Sequence, residues 1–329
     1  MRYNFLSTSL LFLSFGLLAA EGINSEKPKM PITITSALPT IEEDKGFSYS
    51  IGFTYQSVLL ANMNYVYSTF RTSEGDGVGT ALQNKPVKNY EIDFSLGFRE
   101  PKGSYDVKIS NQYFQGSSQS SFSGLSSGSS YFLGTGASNI DNHSYLSAKY
   151  NLLGIELAEN FSFCSRFNLR WMIGLLNSLF GVEQKNFRTV TLQQAPLNYK
   201  FSQSSLGPQA GFTTSWLFKK NFSLFLNTKT ALMYGVYRTK TNADLSGPVV
   251  SMKGHLKSIF PYLESLLGLS YSFYLKDNRD FIKLQLGYDV KCFLGMNQTQ
   301  SGDPYSNYNS AFYSPLFSQG LLFDFACSF

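Results

Sequence analysis

The chain repeatedly places a large apolar side chain at every second position. Its last stretch, GLLFDFACSF at residues 320–329, alternates in this way up to the final residue. Successive side chains of a β-strand point to opposite faces, so each such stretch presents one apolar and one more polar face. FSYSIGFTY at 47–55, YEIDFSLGFR at 90–99 and FIKLQLGYDVKCFLG at 281–295 repeat the pattern. This periodicity predicts an all-β chain.

Composition narrows the class of β-protein. The 329 residues include 30 Phe and 21 Tyr, and only 15% are charged. So many aromatic residues argue against a disordered chain. Beyond the first 22 residues there is no apolar run of about 18, as a membrane-spanning helix requires. Transmembrane β-barrels fit, because their strands alternate apolar and polar residues. The formal net charge of +5 gives no reason to expect a nucleic-acid partner.

The first 45 residues differ from the rest. MRYNFLSTSLLFLSFGLLAAEG, residues 1–22, has Arg2 before a short apolar core, and Ala20-Glu21-Gly22 offers a small-x-small cleavage site. These features predict an exported protein with a signal peptide over 1–22, because the apolar run is short for a membrane anchor. Residues 23–45 mix Pro, Lys and Glu and show neither helical nor strand periodicity. They predict a flexible periplasmic leader. The barrel is assigned to residues 46–329.

Connections of two kinds alternate along the chain. Short polar ones are predicted near residues 100–104, 162–166, 219–221 and 276–279, and long ones near 71–88, 116–142, 183–199, 240–253 and 297–308. Outer-membrane barrels have short periplasmic turns and longer external loops. This alternation of short and long connections predicts a closed antiparallel transmembrane β-barrel of about ten strands. Strand numbers from eight to fourteen are compatible with the sequence.

Three local interpretations accompany the strand count. Residues 46–70 are long enough for one tilted strand or a hairpin. A change of phase at Leu152-Leu153 predicts a β-bulge. The Gly- and Ser-rich stretch within residues 116–142 predicts a flexible surface loop.

A soluble β-sandwich is the alternative fold, because it too can bury one apolar face of each strand. Phe- and Tyr-rich apolar faces, the alternating connections and the aromatic final residue favour a membrane barrel. In lipid every backbone N–H and C=O must be paired, and only helices and closed barrels achieve this. We therefore expect a bacterial outer membrane location.

The polar strand faces then line the lumen. They carry eight basic residues, Arg99, Lys108, Lys149, Arg166, Arg170, Lys229, Lys283 and Lys291. They also carry seven acidic residues, Glu91, Asp93, Asp106, Glu156, Glu264, Asp289 and Asp324. Buried charges must be paired or hydrated. Two interpretations stay open: a water-filled pore for small hydrophilic solutes or ions, or a narrow barrel closed by ion pairs that serves as a surface-structural protein or adhesin.

Enzymatic and metal-binding functions have little support in the sequence. The three cysteines, Cys164, Cys292 and Cys327, have no CxxC spacing, and we expect Cys292 and Cys327 to be free thiols on apolar faces. The two histidines, His143 and His255, lie near predicted loops without an evident catalytic neighbourhood. We expect no catalytic residues, no metal and no cofactor.

Several segments, taken in order, resemble the major outer membrane protein family of the legionella and chlamydia type. They are FTYQSVLLANMNYVYS, FSLGFREPKGSYDVKISNQYF, LGPQAGFTTSWLFKKNFSLFLNTKTALMYGVY, LESLLGLSYSFY, LQLGYDVKCFLGMNQ and SQGLLFDFACSF. The resemblance implies a porin-like or structural barrel in the outer membrane, without a cofactor.

The expected partners follow from this placement. They are outer-membrane lipid, small hydrophilic solutes and the barrel-assembly machinery, whose C-terminal signal the ending with Phe323, Phe325 and Phe329 resembles. No nucleic acid is expected. The sequence leaves homo-oligomerisation open, because no segment marks a subunit interface distinct from a lipid-facing surface.

Overall fold

The computed structural model describes the chain from residue 46 onward, with gaps. The described ranges are 46–60, 64–68, 71–72, 75–76, 80–99, 105–129, 132–190, 193–219, 221–243, 250–274, 281–302 and 309–328. Regular structure within these ranges is entirely β-strand. The predicted signal peptide, the predicted leader and Phe329 lie outside them. In the described part of the chain, no helix has the length and apolar character to cross a membrane.

The strands follow one another with little intervening chain. They are β1 (Gly46–Leu60), β2 (Asn64–Ser68), β3 (Arg71–Thr72), β4 (Gly75–Asp76), β5 (Thr80–Gln83), β6 (Val87–Arg99), β7 (Tyr105–Ser129), β8 (Phe132–Cys164), β9 (Phe167–Val190), β10 (Gln193–Lys219), β11 (Phe222–Ala243), β12 (Val250–Tyr274), β13 (Phe281–Gly302) and β14 (Asn309–Ser328).

Ten of these strands, β1 and β6 to β14, form a closed antiparallel barrel. Consecutive barrel strands pair with one another, and β1 pairs with β14 from Ser48↔Ser328 to Leu60↔Leu316. This pairing leaves no open edge in the cycle, as lipid requires. The prediction of a closed barrel of about ten strands is confirmed.

Residues 46–70 are neither a single strand nor a simple hairpin. The barrel strand β1 ends at Leu60, and the short β2 pairs with β5 and touches β7 at Tyr67↔Gly128. Strands β3 and β4 form a separate two-stranded ladder.

Three local predictions are wrong. One is the long connection near residues 183–199, because β9 and β10 pair through this segment as far as Val190↔Gln193. The Gly- and Ser-rich segment is not a loop over residues 116–142, because β7 and β8 pair through it as far as Ser129↔Phe132. Backbone ladders need no apolar side chains, so Ser and Gly take part in them. No bulge occurs at Leu152-Leu153, where β8 stays in register with both neighbours. The change of phase instead reflects apolar side chains on both faces: Leu152 is buried inside and Leu153 is exposed outside.

An apolar belt covers the outer surface on the side of the short turns. Exposed aliphatic and aromatic side chains recur at alternate positions of every barrel strand, for example Phe53, Ile155, Leu206, Leu269 and Phe323. Aromatic pairs lie along the edge of the belt that is nearest the short turns. Their ring centroids are 5.3 Å apart in Phe47–Phe98, 5.9 Å in Phe163–Phe167, 6.2 Å in Phe218–Phe222 and 4.5 Å in Phe222–Tyr271. Such girdles are typical of membrane interfaces.

Most barrel strands are far longer than a membrane needs. Spanning takes about 9–11 tilted residues, whereas β8 has 33 and β10 has 27. The surplus lies toward the long connections, where the outward residues turn polar, as at Asn151 and Lys149 on β8. The barrel wall therefore continues beyond the apolar belt at that end.

Two glycines of the LGPQAG stretch allow close strand packing. A Cβ added at Gly207 would lie 2.1 Å from the backbone oxygen of Leu232, and one at Gly211 would lie 2.4 Å from that of Thr228. Both distances are far below any contact that a real side chain makes, so β10 and β11 can approach in this way only with glycine.

Candidate functional site: the barrel lumen

The inner face of the barrel carries most of the polar residues that the sequence assigned to the lumen. Glu264, Asp289, Lys291 and Asp324 are buried, and Arg99, Lys108, Arg170, Lys229 and Lys283 are half-buried. They occupy inward positions because polar and apolar residues alternate on strands whose other face forms the belt. Charge is thus concentrated inside a narrow cylinder, where each group needs a partner.

Lys291 on β13 is the centre of a first charged group, which also contains Glu91 and Asp289. Its side chain has no exposed surface, its ammonium nitrogen pairs with a carboxylate oxygen of Glu91, and the distance to an oxygen of Asp289 is 3.0 Å. Gln56 donates to Asp289 at 2.9 Å, and the hydroxyl of Tyr150 donates to Glu91. Buried ionic groups are stable only when paired and hydrogen-bonded in this way.

A second charged group lies nearer the short turns and contains Asp106, Glu156, Arg170 and Lys229. The guanidinium of Arg170 donates through Nη2 to Asp106 at 2.5 Å and through Nε at 2.9 Å. This forked geometry is typical of strong Arg–carboxylate pairs. Lys229 pairs with Glu156 at 2.6 Å, and Arg170 approaches the same carboxylate at 3.6 Å.

Asp324 lies near two further cations of the lumen, which belong to neither charged group. It lies within electrostatic reach of Lys108 and Lys283, and the Lys283 ammonium sits 5.9 Å from the centre of the Phe225 ring. Lys108 is directly opposite Glu156 in the β7–β8 ladder. Positive and negative groups therefore alternate around the inner wall rather than forming one ring of a single sign.

An aromatic layer occupies the lumen next to Lys291, on the side away from the short turns. It consists of Phe114, Tyr150, Phe180, Tyr262 and Phe293, all buried. Tyr150 stacks on Phe114 with centroids 5.1 Å apart, and Phe293 lies 4.7 Å from Tyr262. These contacts place aromatic rings side by side across this level of the lumen.

Contacts across the full width of the barrel show how narrow the lumen is. The strands β8 and β13 lie on opposite sides of the ten-strand cycle, yet the rings of Tyr150 and Phe293 are 6.4 Å apart. Gln112 of β7 likewise donates to Glu264 of β12, also on the opposite wall, at 3.2 Å. A cavity between the charged groups, bordered by Gln112, Lys229 and Glu264, holds about one water molecule.

Two charged residues lie elsewhere than the sequence predicted. Lys149 is exposed on the outer face, because the unbroken register of β8 turns Tyr150 inward and Lys149 outward. Arg166 is exposed in the two-residue turn between β8 and β9, and so takes no part in the strand alternation. Neither belongs to the buried charges of the lumen.

The aromatic layer is what sequence reasoning missed. The rule that large apolar residues face lipid predicts an outward position for Tyr150 and Phe180, and the structure shows both buried inside. A signal existed: Leu146, Ala148, Tyr150 and Leu152 share the parity of the inward Glu156. Following that parity through residues 146–156 would have put the ring inside.

His143 and the adjacent Ser144 point to opposite faces of β8, and the residue opposite His143 in the β7–β8 ladder is Ser121. His143 is exposed and pairs with Asp141 at 3.3 Å, whereas Ser144 is buried inside and accepts a hydrogen bond from Gln184. His255 is exposed on the outer face of β12. Within the described ranges, no group of three or more His, Cys, Asp or Glu side chains could hold a metal ion.

Solved barrels align with most of the chain at low similarity. The outer membrane protease OmpT of Escherichia coli is 12% identical, with a TM-score of 0.47 over 87% of this chain and 96% of that one. A FadL homologue of Pseudomonas aeruginosa is 8% identical, with a TM-score of 0.29 over 87% and 90%. The toluene transporter TbuX of Ralstonia pickettii is 10% identical, with a TM-score of 0.22 over 87% and 89%. None of these similarities indicates what this chain transports or cleaves.

Family membership rests on a separate comparison. No curated protein matches the chain. The family model of the Legionella pneumophila major outer membrane protein precursor matches residues 10–326, which is nearly the whole sequence. The chain therefore belongs to the Legionella major outer membrane protein family, and its barrel is of the outer membrane type.

Proposed function

We propose that this protein is a surface-structural outer membrane barrel whose lumen is closed to solutes at rest. The observation that carries the proposal is the contact between opposite walls, where the ring of Tyr150 lies 6.4 Å from that of Phe293. A diffusion pore needs a continuous water path, and side chains that meet across the diameter remove it. Of the two interpretations left open by the sequence, the ion-paired barrel is the one that this geometry favours.

The arrangement of charge supports the same proposal. Porins that select ions place rings of one sign along the path. Here Lys291 lies between Glu91 and Asp289, and Lys229 is held by Glu156. Each of these two cations is paired with a neighbouring carboxylate, so these pairs act as cross-links of the wall rather than as a selectivity filter.

Single-channel recording tests the proposal directly. We expect the purified full chain in planar lipid bilayers to give no discrete conductance steps, and the double variant Tyr150→Ala/Phe293→Ala to give them. The matched control is Tyr145→Ala/Phe187→Ala, which removes an aromatic pair of the outer face with centroids 5.9 Å apart. The control should stay silent. Reproducible steps from the unaltered folded protein would overturn the proposal.

Passive diffusion of small hydrophilic solutes or ions is the second candidate. One observation favours it: within the described residues, the lumen is closed by side chains alone, such as Tyr150 and Gln112, and not by a backbone segment. Side chains can change rotamer far faster than a folded plug can leave. In that case the unaltered protein would conduct intermittently, and Tyr150→Ala/Phe293→Ala would lengthen the open periods.

The positions of side chains on the barrel strands bear on two further roles, hydrolase activity and recognition by the assembly machinery. Ser144 and His143 point to opposite faces, so we infer no hydrolase activity from this pair. Phe323 is exposed on the outer face of the last strand, where assembly machinery could read it together with Phe325. A hydrolase screen that gives activity lost in His143→Ala would contradict the first inference, and normal insertion of Phe323→Ala/Phe325→Ala would contradict the second.

A further inference from the structure

A cluster of basic side chains lies on the outer surface of three adjacent strands, beyond the apolar belt. The outer basic cluster consists of Lys200 on β10, Arg238 and Lys240 on β11, and Lys253 and Lys257 on β12. All five are exposed. They share the outward parity of the belt residues on the same strands, so they point away from the barrel wall.

The strand register places these cations directly opposite one another. Lys200 pairs in register with Lys240, and Lys240 pairs with Lys253. Directly opposed side chains have Cβ atoms about 4.5–5.5 Å apart, and like charges in such positions repel. A row of three lysines across three strands therefore carries a cost that a bound anion would remove.

Among the described residues, carboxylates neutralise only one end of this row. Glu183 pairs with Lys200 at 3.2 Å and with Lys185 at 3.4 Å. Within the described ranges, no ion pair joins a carboxylate to Lys240, Lys253 or Arg238. Unlike Lys229 and Lys291 in the lumen, Lys240, Lys253 and Arg238 have no ion pair with a carboxylate in the described part of the chain and remain available to an anion.

The position of the cluster relative to the belt identifies the source of the anion. The next outward residue after Val236 on β11 is Arg238, and the next after Ile259 on β12 is Lys257. Beneath them, Ile259 is 63% exposed and Leu232 is 56% exposed. A ligand at this place touches basic groups and lipid-facing apolar groups together, as only an amphiphile does.

We propose that the outer basic cluster binds the phosphate-bearing headgroup of a lipid in the outer leaflet. The phosphates lie among Lys200, Lys240 and Lys253, and the acyl chains run down the belt over Ile259 and Leu232. The long connections are external in barrels of this kind, which places the cluster at the external interface. Each basic residue near an anionic surface strengthens attraction about five-fold.

Binding of a bis-phosphorylated lipid A to the detergent-solubilised full chain tests the site. The variant is Lys200→Gln/Lys240→Gln/Lys253→Gln, and native mass spectrometry gives the apparent Kd. We expect about 100-fold weaker binding, since three cations are removed. The matched control Lys85→Gln/Lys88→Gln/Lys149→Gln removes three exposed lysines elsewhere and should change Kd by less than about three-fold, because it leaves the row intact.

Two further measurements decide the source of the anion. Dephosphorylated lipid A should bind the unaltered and altered barrels equally. Equal loss in the control variant, or an unchanged Kd in the cluster variant, would overturn the proposal. Hexametaphosphate bound as tightly as the lipid, with the same dependence on the cluster, would overturn it in favour of a soluble polyanion. If the triple variant does not fold, as judged by heat-modifiable migration, Lys240→Gln alone should weaken lipid binding about five-fold.

Discussion

Lysines inside the barrel and lysines on its outer surface have opposite surroundings. Lys291 is fully buried between Glu91 and Asp289, whereas Lys240 is exposed between Lys200 and Lys253. Both arrangements arise from strands of the same sheet, and only the face differs. Inside, low polarity requires each cation to have a counter-charge. Outside, water weakens the repulsion between charges, so the strands can place like charges side by side.

The largest expected effect comes from removing the buried cation. Lys291→Met leaves Glu91 and Asp289 without their shared partner inside the lumen. Breaking a buried ion pair on one side costs about 3–5 kcal/mol. We expect a loss of this order in the free energy of unfolding, measured by urea titration in lipid vesicles with tryptophan fluorescence as readout.

The outer lysine Lys88 provides the control for this substitution. It is exposed on β6, and Lys88→Met should change the free energy of unfolding by less than about 0.5 kcal/mol, as exposed sites usually do. Adding Glu91→Gln to Lys291→Met should recover part of the lost stability. Equal effects of Lys291→Met and Lys88→Met would remove the distinction between the two faces.

A double-mutant cycle on the second charged group should give a smaller value. Arg170 donates two hydrogen bonds to Asp106 at 2.5 and 2.9 Å, and both side chains are partly exposed. Hydrogen bonds to charged groups contribute about 1.5–3 kcal/mol, so the coupling between Arg170→Gln and Asp106→Asn should lie near the lower end of that range. Additive effects of the two substitutions on the urea midpoint would show that the pair does not contribute.

Charge reversal on the outer surface should act in the opposite direction. Lys240→Glu converts two like-charged cross-strand pairs into opposite-charged ones. Such pairs differ by about 0.2–1 kcal/mol, so we expect a small gain in stability in a neutral detergent. When anionic lipid is added, the same variant should be stabilised less than the unaltered protein. A loss of stability in neutral detergent would mean that Lys240 has a partner that offsets the repulsion.

The smallest effect is expected at Glu183. Its pairs with Lys185 and Lys200 are exposed, and surface pairs contribute about 0–1 kcal/mol. Glu183→Gln should change the urea midpoint little while tightening the binding of phosphorylated lipid, because it removes the negative charge beside the outer basic cluster. A measured loss of lipid affinity would show that Glu183 orients Lys200 rather than competing with the ligand.

Much of the fold follows from sequence because lipid imposes a strict alternation. Phe47, Ile92 and Leu286 each stand in a run of outward apolar residues that only a strand explains, and the short turns fix the strand count. Prediction failed where that constraint stops. Beyond the belt, β7 and β8 continue through Ser- and Gly-rich sequence, because hydrogen bonds of the ladder do not depend on side-chain type.

The lumen was harder to predict than the wall. Charged residues such as Lys291 and Asp324 could be assigned by parity, because a charge facing lipid is costly. Tyr150 and Phe293 share the parity of the inward Glu156 and Lys291, but their residue type gives no such signal, since an aromatic ring is favourable both in lipid and in a closed interior. The strands that face one another across a barrel are determined by its closure and by the stagger of its strands. Local sequence therefore does not predict the contact between β8 and β13.

The ladder between the first and last strands has a consequence for biogenesis. Ser48 and Ser328 come from opposite extremes of the described chain, so this seam is the most non-local contact in the cylinder. Pairings of this kind form slowly, because a long stretch of chain must lose conformational entropy before the contact between its ends stabilises it. Until β14 is present, β1 has a pairing partner on one side only, the strand β6. Closure of the cylinder therefore has to be the last pairing to form, after every other strand is available.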